Sequence, residues 1–348
     1  MRILLTPILL AAAAAAAPSQ QLYETISSET FEYAAGSPLG ALNGGHGWSA
    51  EWFSGATNDN CLVSSPGFDA DGEKATTVVD GGGSWRTMSV ASYESLLDNG
   101  LFGKDGTTFW VSFWCQRTAG GDDDYGGLSL YIRFGGEMLF IGSPSFTEEW
   151  GVHDVRFHPA PYTVPGTDCD TLARLVCRID FLPGSERARL WIDPTDPHPT
   201  TTPDLDVLLD DFRFNEIRLQ SGNSVTTTGF HFDGVAIDTP AFRPIMSVDN
   251  PVAGQVARLN VVNCAPGNNV VIAYSINGPG PVNSPYGTVH LTPPINQLMP
   301  IPADAQGEVH LNVTVPPGLS GRTVWAQSLE VTGPGAGNLS NPLAVSIQ

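Results

Sequence analysis

Hydrophobic and polar residues alternate with a period of two in several short stretches of the chain. In residues 107–116, one side carries Phe109, Val111, Phe113 and Cys115, and the other carries Trp110, Ser112, Trp114 and Gln116. The same alternation recurs in residues 128–134, 175–181 and 189–193. Period two over many short runs predicts antiparallel strands with one face in a core.

Turn-forming residues separate these runs and leave little room for helices. The chain has 38 glycines and 28 prolines in 348 residues, a density that interrupts long helices. Residues 93–99 are the one short stretch with a helix-like pattern, and the glycine pair at 135–136 predicts a hairpin turn. The sequence therefore predicts an all-β fold.

The stretch from residue 243 onward has a different pattern of short strand-like runs. Strand-like runs fall at residues 257–262, 270–274, 288–291, 308–315, 323–331 and 343–347. About seven short strands in about a hundred residues are typical of an immunoglobulin-like sandwich. The paired cysteines and core tryptophan of true immunoglobulin domains are absent, so the prediction concerns architecture alone. Trp325 is expected in the core.

Charge changes abruptly at the same place. The chain has 36 acidic and 16 basic residues, a net charge of -20, and only four acids and three bases follow residue 242. Pro240, Pro244 and Pro251 cluster at the join. We therefore predict two domains, residues 20–242 and residues 243–348.

So acidic a chain repels phosphate backbones and anionic lipid, which argues against nucleic acids and membrane surfaces as partners.

The first residues have the layout of a secretory signal peptide. Residues 1–17 contain one arginine, a short apolar run and a series of alanines. The apolar run is too short to span a bilayer. We predict a signal peptide over residues 1–19, with cleavage after Ser19 or after Ala16, and no membrane insertion of the mature chain. The expected location is outside the cytoplasm: secreted, periplasmic or on the cell surface.

The cysteines leave the disulfide pattern open. They are Cys61, Cys115, Cys169, Cys177 and Cys264. Export permits disulfides, but an odd number leaves at least one thiol unpaired. No C-x-x-C pair supports a zinc knuckle or a redox motif. Cys115 and Cys177 fall on the apolar sides of strands, where a free cysteine acts as a small hydrophobic residue.

Several segments of the first domain resemble a known family. The segment ETFEYAAGSPLGALNGGHGWSAEW resembles the opening strand and loop of concanavalin A-like, laminin G-type jelly rolls of secreted bacterial proteins. The segments TTFWVSFWCQR, LVCRIDF, ARLWIDP, FRFNEIRL and FHFDGVAID resemble the successive strands of that domain, in the same order. The resemblance covers residues 24–238 and implies two curved antiparallel sheets packed face to face, with any binding on the concave sheet or the rim loops. The expected architecture is a concanavalin A-like jelly-roll sandwich followed by a smaller immunoglobulin-like β-sandwich.

The familiar catalytic motifs of such folds are missing from the sequence. Glucanases of this class carry the motif E-x-D-x-x-E on a strand. In this sequence no glutamate begins an E-x-D, and the acidic segment 204–211 contains no glutamate. No G-x-S-x-G motif of a serine hydrolase occurs either. His153 and His158 would lie on opposite faces of one strand, which argues against joint metal ligation. These absences predict a protein that is not an enzyme.

Acidic loops are the candidate calcium sites, because Ca²⁺ is bound by several carboxylate and carbonyl oxygens. Asp69, Asp71 and Glu73 are the leading set, since Gly72 allows the tight turn that such a loop needs. Other acidic loops contain Asp122, Asp123 and Asp124, or Asp193 and Asp196. No loop completes the D-x-[DN]-x-[DN]-G pattern, so solvated acids are the competing interpretation for each.

Aromatic residues supply the candidate ligand surface. The predicted carbohydrate-binding residues, on or beside the polar sides of strands, are Trp110, Trp114, Tyr131, Arg133, Trp191 and Asp193. Exposed rings can stack on the apolar C–H faces of sugars. The competing interpretation is that these rings fill a second layer of the sandwich or lie under long loops, since tryptophan is usually mostly buried.

The leading functional hypothesis is an exported, non-catalytic carbohydrate-binding or adhesion protein, whose partner is a polysaccharide or a cell-surface glycan. One alternative is a structural cell-surface or matrix interaction protein with no small ligand. A second alternative is a polysaccharide-active enzyme with an atypical site. An exposed aromatic row would favour sugar binding, a flat apolar patch would favour protein contact, and facing carboxylates would favour an enzyme. The glycan and the oligomeric state stay open.

Overall fold

The computed structural model describes residues 22–348 except 55–60, 69–71, 78–82, 120, 122–123, 157, 223–227 and 242. The predicted signal peptide over residues 1–19 lies outside the described residues. The described secondary structure is almost entirely strand, with two 3-10 turns at Glu94–Leu96 and Pro317–Leu319. The first turn lies where the sequence suggests a short helix. The all-β prediction is therefore confirmed.

The described strands up to residue 240 form two large sheets and one small one. They are β1 (Tyr23–Glu29), β2 (Phe53–Ser54), β3 (Cys61–Ser64), β4 (Lys74–Thr77), β5 (Gly83–Thr87), β6 (Leu97–Asp98), β7 (Leu101–Phe102), β8 (Thr108–Ala119), β9 (Tyr125–Ile132), β10 (Gly136–Ser143), β11 (Gly151–His153), β12 (Tyr162–Thr163), β13 (Ala173–Asp180), β14 (Glu186–Ile192), β15 (Leu205–Leu209), β16 (Glu216–Gly222) and β17 (Gly229–Pro240).

The two large sheets pack face to face as a jelly-roll-like sandwich. The eight-stranded sheet has the order β15-β14-β13-β8-β17-β4-β3, with β1 paired to β17. The seven-stranded sheet has the order β12-β11-β10-β9-β16-β5-β2, and β6 pairs with β7 separately. The alternating residues Phe109 and Val111 of β8, Leu128 and Leu130 of β9, and Ile217 of β16 lie in one apolar core between the sheets. The antiparallel pairing follows from short strands that each bury one face.

The remaining described strands, from residue 245 onward, form separate sheets. They are β18 (Ile245–Asp249), β19 (Val256–Val262), β20 (Asn269–Ser275), β21 (Val282–Ser284), β22 (Gly287–Val289), β23 (Asn296–Gln297), β24 (Ile301–Pro302), β25 (Val309–Thr314), β26 (Thr323–Gly333), β27 (Ala336–Leu339) and β28 (Leu343–Ser346).

This second half has an apolar cluster of its own. A three-stranded sheet, β18-β19-β25, and a six-stranded sheet built on β20 and β26 contribute to it, and β21 pairs with β22. Met246, Val261 and Ile272 lie at the centre of the cluster. Trp325, which the sequence places in the core, is only half-buried. Among the described residues, no helix has the length and apolar character needed to cross a membrane.

All five cysteines are buried as free thiols. Burial raises the pKa of Cys61 and of Cys177 to about 12. Cys115 and Cys177 belong to the core between the large sheets, as their positions on the apolar sides of strands indicate. These thiols therefore act as small hydrophobic residues.

Candidate functional site

The predicted carbohydrate-binding residues do not form one surface. Trp110, Trp114 and Trp191 lie on β8 and β14 of the eight-stranded sheet, whereas Tyr131 lies on β9 of the seven-stranded sheet. The core separates the outer faces of the two sheets. Arg133 is exposed beside the hairpin turn after β9. The fold separates these candidates because alternation assigns a residue to a face of its strand but not to one of two sheets.

Trp110 and Trp191 are buried, with exposed fractions of 2% and 5%. The segment after β14 covers them, since Trp191 Nε1 donates to the Thr201 carbonyl at 3.1 Å and the His198 ring lies 5.5 Å from Trp110. Tyr23 stacks on His198 with ring centres 3.5 Å apart. The expectation of exposed rings is wrong for both tryptophans, and the competing interpretation of a layer beneath a loop describes them.

The other predicted site residues are not brought together either. Trp114 is half-buried, and Asp193 is exposed, with its carboxylate accepting a backbone N–H at 2.7 Å. Of the predicted calcium ligands, Asp69 and Asp71 lie outside the described residues. Glu73 is half-buried in the segment before β4.

The outer face of the seven-stranded sheet carries the chemistry instead. Its central row, in register across five strands, consists of Phe53, Trp85, Arg218, Ser129 and Phe140. The next row consists of Thr87, Glu216, Tyr131 and Glu137, and Gln220 belongs to the row on the other side. Directly opposite residues of paired strands share a face. Leu128, Leu130 and Ile217 of the same strands face the core, so these rows face away from it; we call them the outer face.

A strip of flat side chains crosses four neighbouring strands of the outer face. Phe53 is 59% exposed, and its ring centre lies 4.9 Å from that of Trp85. The Arg218 guanidinium follows, 5.0 Å from the Trp85 ring centre and 3.8 Å from the Tyr131 ring centre. Three strand spacings make the strip about 14 Å long. That length suits a chain of linked rings better than a single small molecule.

Glu216 holds Arg218 in this strip. Arg218 Nε and Nη2 each lie 2.9 Å from Glu216 Oε1, and the Glu216 side chain is 2% exposed. The buried Glu216 carboxylate thus neutralises the guanidinium charge at its edge, and the flat faces of the guanidinium are left to stack on rings. Glu216 acts here as a positioning residue, because its own carboxylate does not reach the surface.

Glu137 lies at the end of the strip, on β10. Its Oε1 accepts hydrogen bonds from Ser129 Oγ at 2.5 Å and from Gln220 Nε2 at 2.7 Å. Gln220 Nε2 also donates to Ser129 Oγ at 2.9 Å, and the Tyr131 hydroxyl lies 3.4 Å from Gln220 Oε1. Ser129 is fully buried, whereas Glu137 is only half-buried. The cluster therefore fixes one oxygen of a carboxylate that remains accessible.

Tyr131 is a neutral phenol that can donate a hydrogen bond in this setting. Burial, followed by the charge of Glu137, raises the pKa of Tyr131 above its ordinary value of 10.0. The phenol therefore stays protonated at neutral pH. An oriented carboxylate beside a neutral phenol, at the end of an aromatic strip, is able to exchange a proton with a ligand stacked on the strip.

Sequence reasoning missed most of this site. Residues 216–220 alternate as Glu-Ile-Arg-Leu-Gln, which places three polar side chains on one side of a strand. That signal is local and identifies no neighbour. Trp85 and Glu137 come from β5 and β10, which the fold brings to the two sides of β16 and β9.

No protein-family model matches the sequence, and no curated protein matches it. Similar solved structures include an endo-acting O-glycanase of the human gut microbiota that initiates mucin breakdown, at 10% identity and a TM-score of 0.35, over 62% of this chain and 98% of that one. The catalytic domain of a glycoside hydrolase family 131 protein from Coprinopsis cinerea matches at 12% identity and a TM-score of 0.38, over 61% of this chain and 93% of that one.

A Trypanosoma rangeli sialidase matches at 8% identity and a TM-score of 0.32, over 53% of this chain and 30% of that one. These likenesses concern the fold, a β-sandwich of the kind found in proteins that act on glycans. The leading functional hypothesis, a non-catalytic binding protein, is corrected by these matches, since the similar structures named here are enzymes; at such low TM-scores they assign no activity to this chain. Any chemistry assigned to the chain must come from its own residues.

Proposed function

We propose that the protein is a polysaccharide-active enzyme with an atypical site, a hydrolase that binds its glycan along the outer face of the seven-stranded sheet. The observation that carries the proposal is the position of Glu137, an oriented and accessible carboxylate at the end of the strip formed by Phe53, Trp85, Arg218 and Tyr131. Sugar rings stack on such a strip through their C–H faces. The carboxylate then lies beside the bond of a sugar unit at the end of the strip.

In this proposal Glu137 is the acid–base group. It donates a proton to the glycosidic oxygen as the C–O bond breaks, and the resulting carboxylate takes a proton from the water that adds to the anomeric carbon, which regenerates the acid. Tyr131 donates a hydrogen bond to a substrate oxygen, because its phenol remains protonated. Ser129 and Gln220 orient Glu137 and are positioning residues. Glu216 lies two strands from Glu137, about 10 Å away along the sheet, and acts through Arg218.

The charge of the outer face favours an uncharged glycan. Glu137 and Glu216 contribute two negative charges, and Arg218 contributes one positive charge that Glu216 already neutralises. The net charge of the whole chain is -20. A uronate or sulfate group would meet an unpaired carboxylate at Glu137 and long-range repulsion during approach.

The test is hydrolysis of a panel of uncharged polysaccharides, measured as the release of reducing ends. Glu137→Gln should lower the rate by about 10²–10⁴-fold, the usual contribution of acid–base catalysis, with an unchanged melting temperature. Trp85→Ala should raise KM more than it lowers kcat. Glu51→Gln, at an exposed glutamate shortly before β2, is the matched control and should retain the wild-type rate. Wild-type activity in Glu137→Gln, or no product from any glycan, would contradict the proposal.

We further infer that the chain is exported, that its first half is of the laminin G type, and that residues 243–348 form an immunoglobulin-like spacer. The alanine-rich start, the order of the strand segments and the separate apolar cluster of the second half support these inferences. N-terminal sequencing of protein recovered from outside the cytoplasm tests the first of them. A start at residue 20 or residue 17 is expected, and a retained Met1 would contradict export by cleavage.

A further inference from the structure

A group of metal-ligand side chains lies where the edges of the two large sheets meet. Asp154 directly follows β11, His158 lies four residues further on, and Asp210 directly follows β15. One ligand atom from each side chain lies within 4.8 Å of the others. β15 is the edge strand of the eight-stranded sheet, and β11 is next to the edge of the seven-stranded sheet. The group therefore connects the two layers of the sandwich.

Two atoms of the group are buried without hydrogen-bond partners in the described part of the chain. They are Asp154 Oδ1 and His158 Nδ1. The Asp154 side chain is 1% exposed, and its other oxygen, Oδ2, accepts the Asp210 backbone N–H at 3.0 Å and lies 3.4 Å from His158 Nδ1. A buried carboxylate oxygen without a donor is costly unless another ligand takes it. A cation between these atoms removes that cost.

We propose that Asp154, His158 and Asp210 form a binding site for one divalent transition-metal ion, with Zn²⁺ the best match. Two carboxylates and one imidazole are donors that Zn²⁺ accepts at about 2.0–2.2 Å, whereas Ca²⁺ prefers a shell of oxygens. Three protein ligands leave a fourth position for water. The bound ion joins the segment after β11 to the end of β15 and stabilises the sandwich edge.

The other acidic group in the described chain lacks these features. It consists of Asp168, Cys169 and Asp170. Asp170 accepts a hydrogen bond from Arg117 Nε at 2.6 Å, and Asp168 accepts the backbone N–H of Asp170 at 2.8 Å. Both carboxylates are exposed and already have donors, so the group has no atom that needs a cation.

The test is calorimetric titration of the full-length mature protein with Zn²⁺ after treatment with a chelator. The wild type should bind one equivalent and gain about 5–10 °C in melting temperature at a free Zn²⁺ concentration of 100 times Kd. His158→Gln and Asp210→Asn should each raise Kd more than about 100-fold, beyond the effect of losing an outer-shell group. Asp210→Asn keeps the backbone N–H that Asp154 accepts, so this variant should fold normally.

The matched control is His310→Gln. His310 forms an exposed pair with Glu308, Nε2 to Oε2 at 2.9 Å, and represents adventitious binding by a surface histidine and a carboxylate. His310→Gln should bind Zn²⁺ as the wild type does. The proposal is overturned by the absence of saturable binding, by loss of binding in His310→Gln alone, or by wild-type affinity in His158→Gln and Asp210→Asn. Tighter binding of Ca²⁺ than of Zn²⁺ would overturn the choice of metal class.

Discussion

The buried ion pair between Glu29 and Arg86 offers a sharp test of how the first half is stabilised. Both side chains are 1% exposed, and Arg86 Nη1 lies 2.7 Å from Glu29 Oε2. Glu29 also accepts hydrogen bonds from Trp52 Nε1 at 3.0 Å, from the Tyr33 hydroxyl at 2.8 Å and from the Phe31 N–H at 3.0 Å. Burial and the hydrogen bond to Glu29 raise the pKa of Tyr33 to about 12. Glu29 is therefore the acceptor on which several donors converge.

Glu29→Gln keeps the shape of the side chain but leaves Arg86 as a buried cation without its counter-charge. Arg86 retains neutral acceptors, the Ala50 carbonyl at 2.8 Å and the Gly44 carbonyl at 2.9 Å among them. Removal of one partner of a buried ion pair costs about 3–5 kcal/mol. Because the remaining carbonyls satisfy part of the guanidinium, we expect a loss near the lower end, about 3 kcal/mol. That is a large share of the 5–15 kcal/mol that stabilises a typical protein.

Urea unfolding followed by tryptophan fluorescence measures this loss, because seven of the eight tryptophans precede residue 192. The control is Arg187→Met, which breaks the exposed pair between Arg187 on β14 and Asp206 on the edge strand β15, with Nε to Oδ1 at 2.7 Å. An exposed pair contributes little, so the midpoint of the control should hardly move. A loss below about 1 kcal/mol for Glu29→Gln would refute the reasoning, since it would place the buried pair in the range of surface pairs.

Three further predictions concern stability. Trp110→Ala should lower the free energy of unfolding by about 3–5 kcal/mol, because removal of a ring that is 2% exposed leaves a cavity. Trp85→Ala on the outer face should lower it far less, and the urea midpoints of the two variants measure the difference. Residues 243–348 expressed alone should give a soluble, strand-rich domain that melts cooperatively, and an aggregated product beside a well-behaved full chain would contradict the boundary. Burial, then the charge of Lys74, lowers the pKa of His231 from 6.5 to about 4. The unfolded chain therefore takes up this proton first. The stability that neutral His231 contributes is complete above pH 6.5 and is lost towards pH 4. His231→Gln should remove that slope from unfolding curves measured across this range.

The strands could be predicted from the sequence because a strand with one buried face imposes period two on its side chains. The core positions of Cys115 and Cys177 follow from that rule alone. The pairing of strands does not, since β8 lies between β13 and β17 and no local signal links segments so far apart in the chain. Pairing of these strands closes long loops of chain, and the entropy lost in closing them is offset by contacts throughout the fold rather than by any one segment.

The candidate sites escaped sequence reasoning for the same reason. Alternation places Trp110 on the polar side of a strand, yet the segment after β14 covers it. In β5 the polar residues Ser84 and Arg86 are the buried ones, so polarity alone does not identify Trp85 as facing outward. The sequence places His153 and His158 on one strand, but β11 ends at His153, and His158 lies beyond it with its carbonyl 3.0 Å from His153 Nε2. Asp210, which we propose as a metal ligand together with His158, belongs to the acidic segment 204–211, and this segment carries no motif. Asp210 comes close to His158 only because the edges of the two large sheets meet in the fold.

The exposed rings of the described chain differ in what surrounds them, and this difference supports a role for the outer face. Phe134 and Phe146 are 94% and 82% exposed, but each lies in a turn with a left-handed backbone, at φ 63° and 62°. Single exposed apolar residues of this kind are ordinary on protein surfaces. Phe53 is 59% exposed and continues into Trp85 on a paired strand. A contiguous flat strip, fixed by a buried carboxylate at Arg218 and ending at an oriented carboxylate at Glu137, lies outside the core, and this arrangement fits the proposed glycan site.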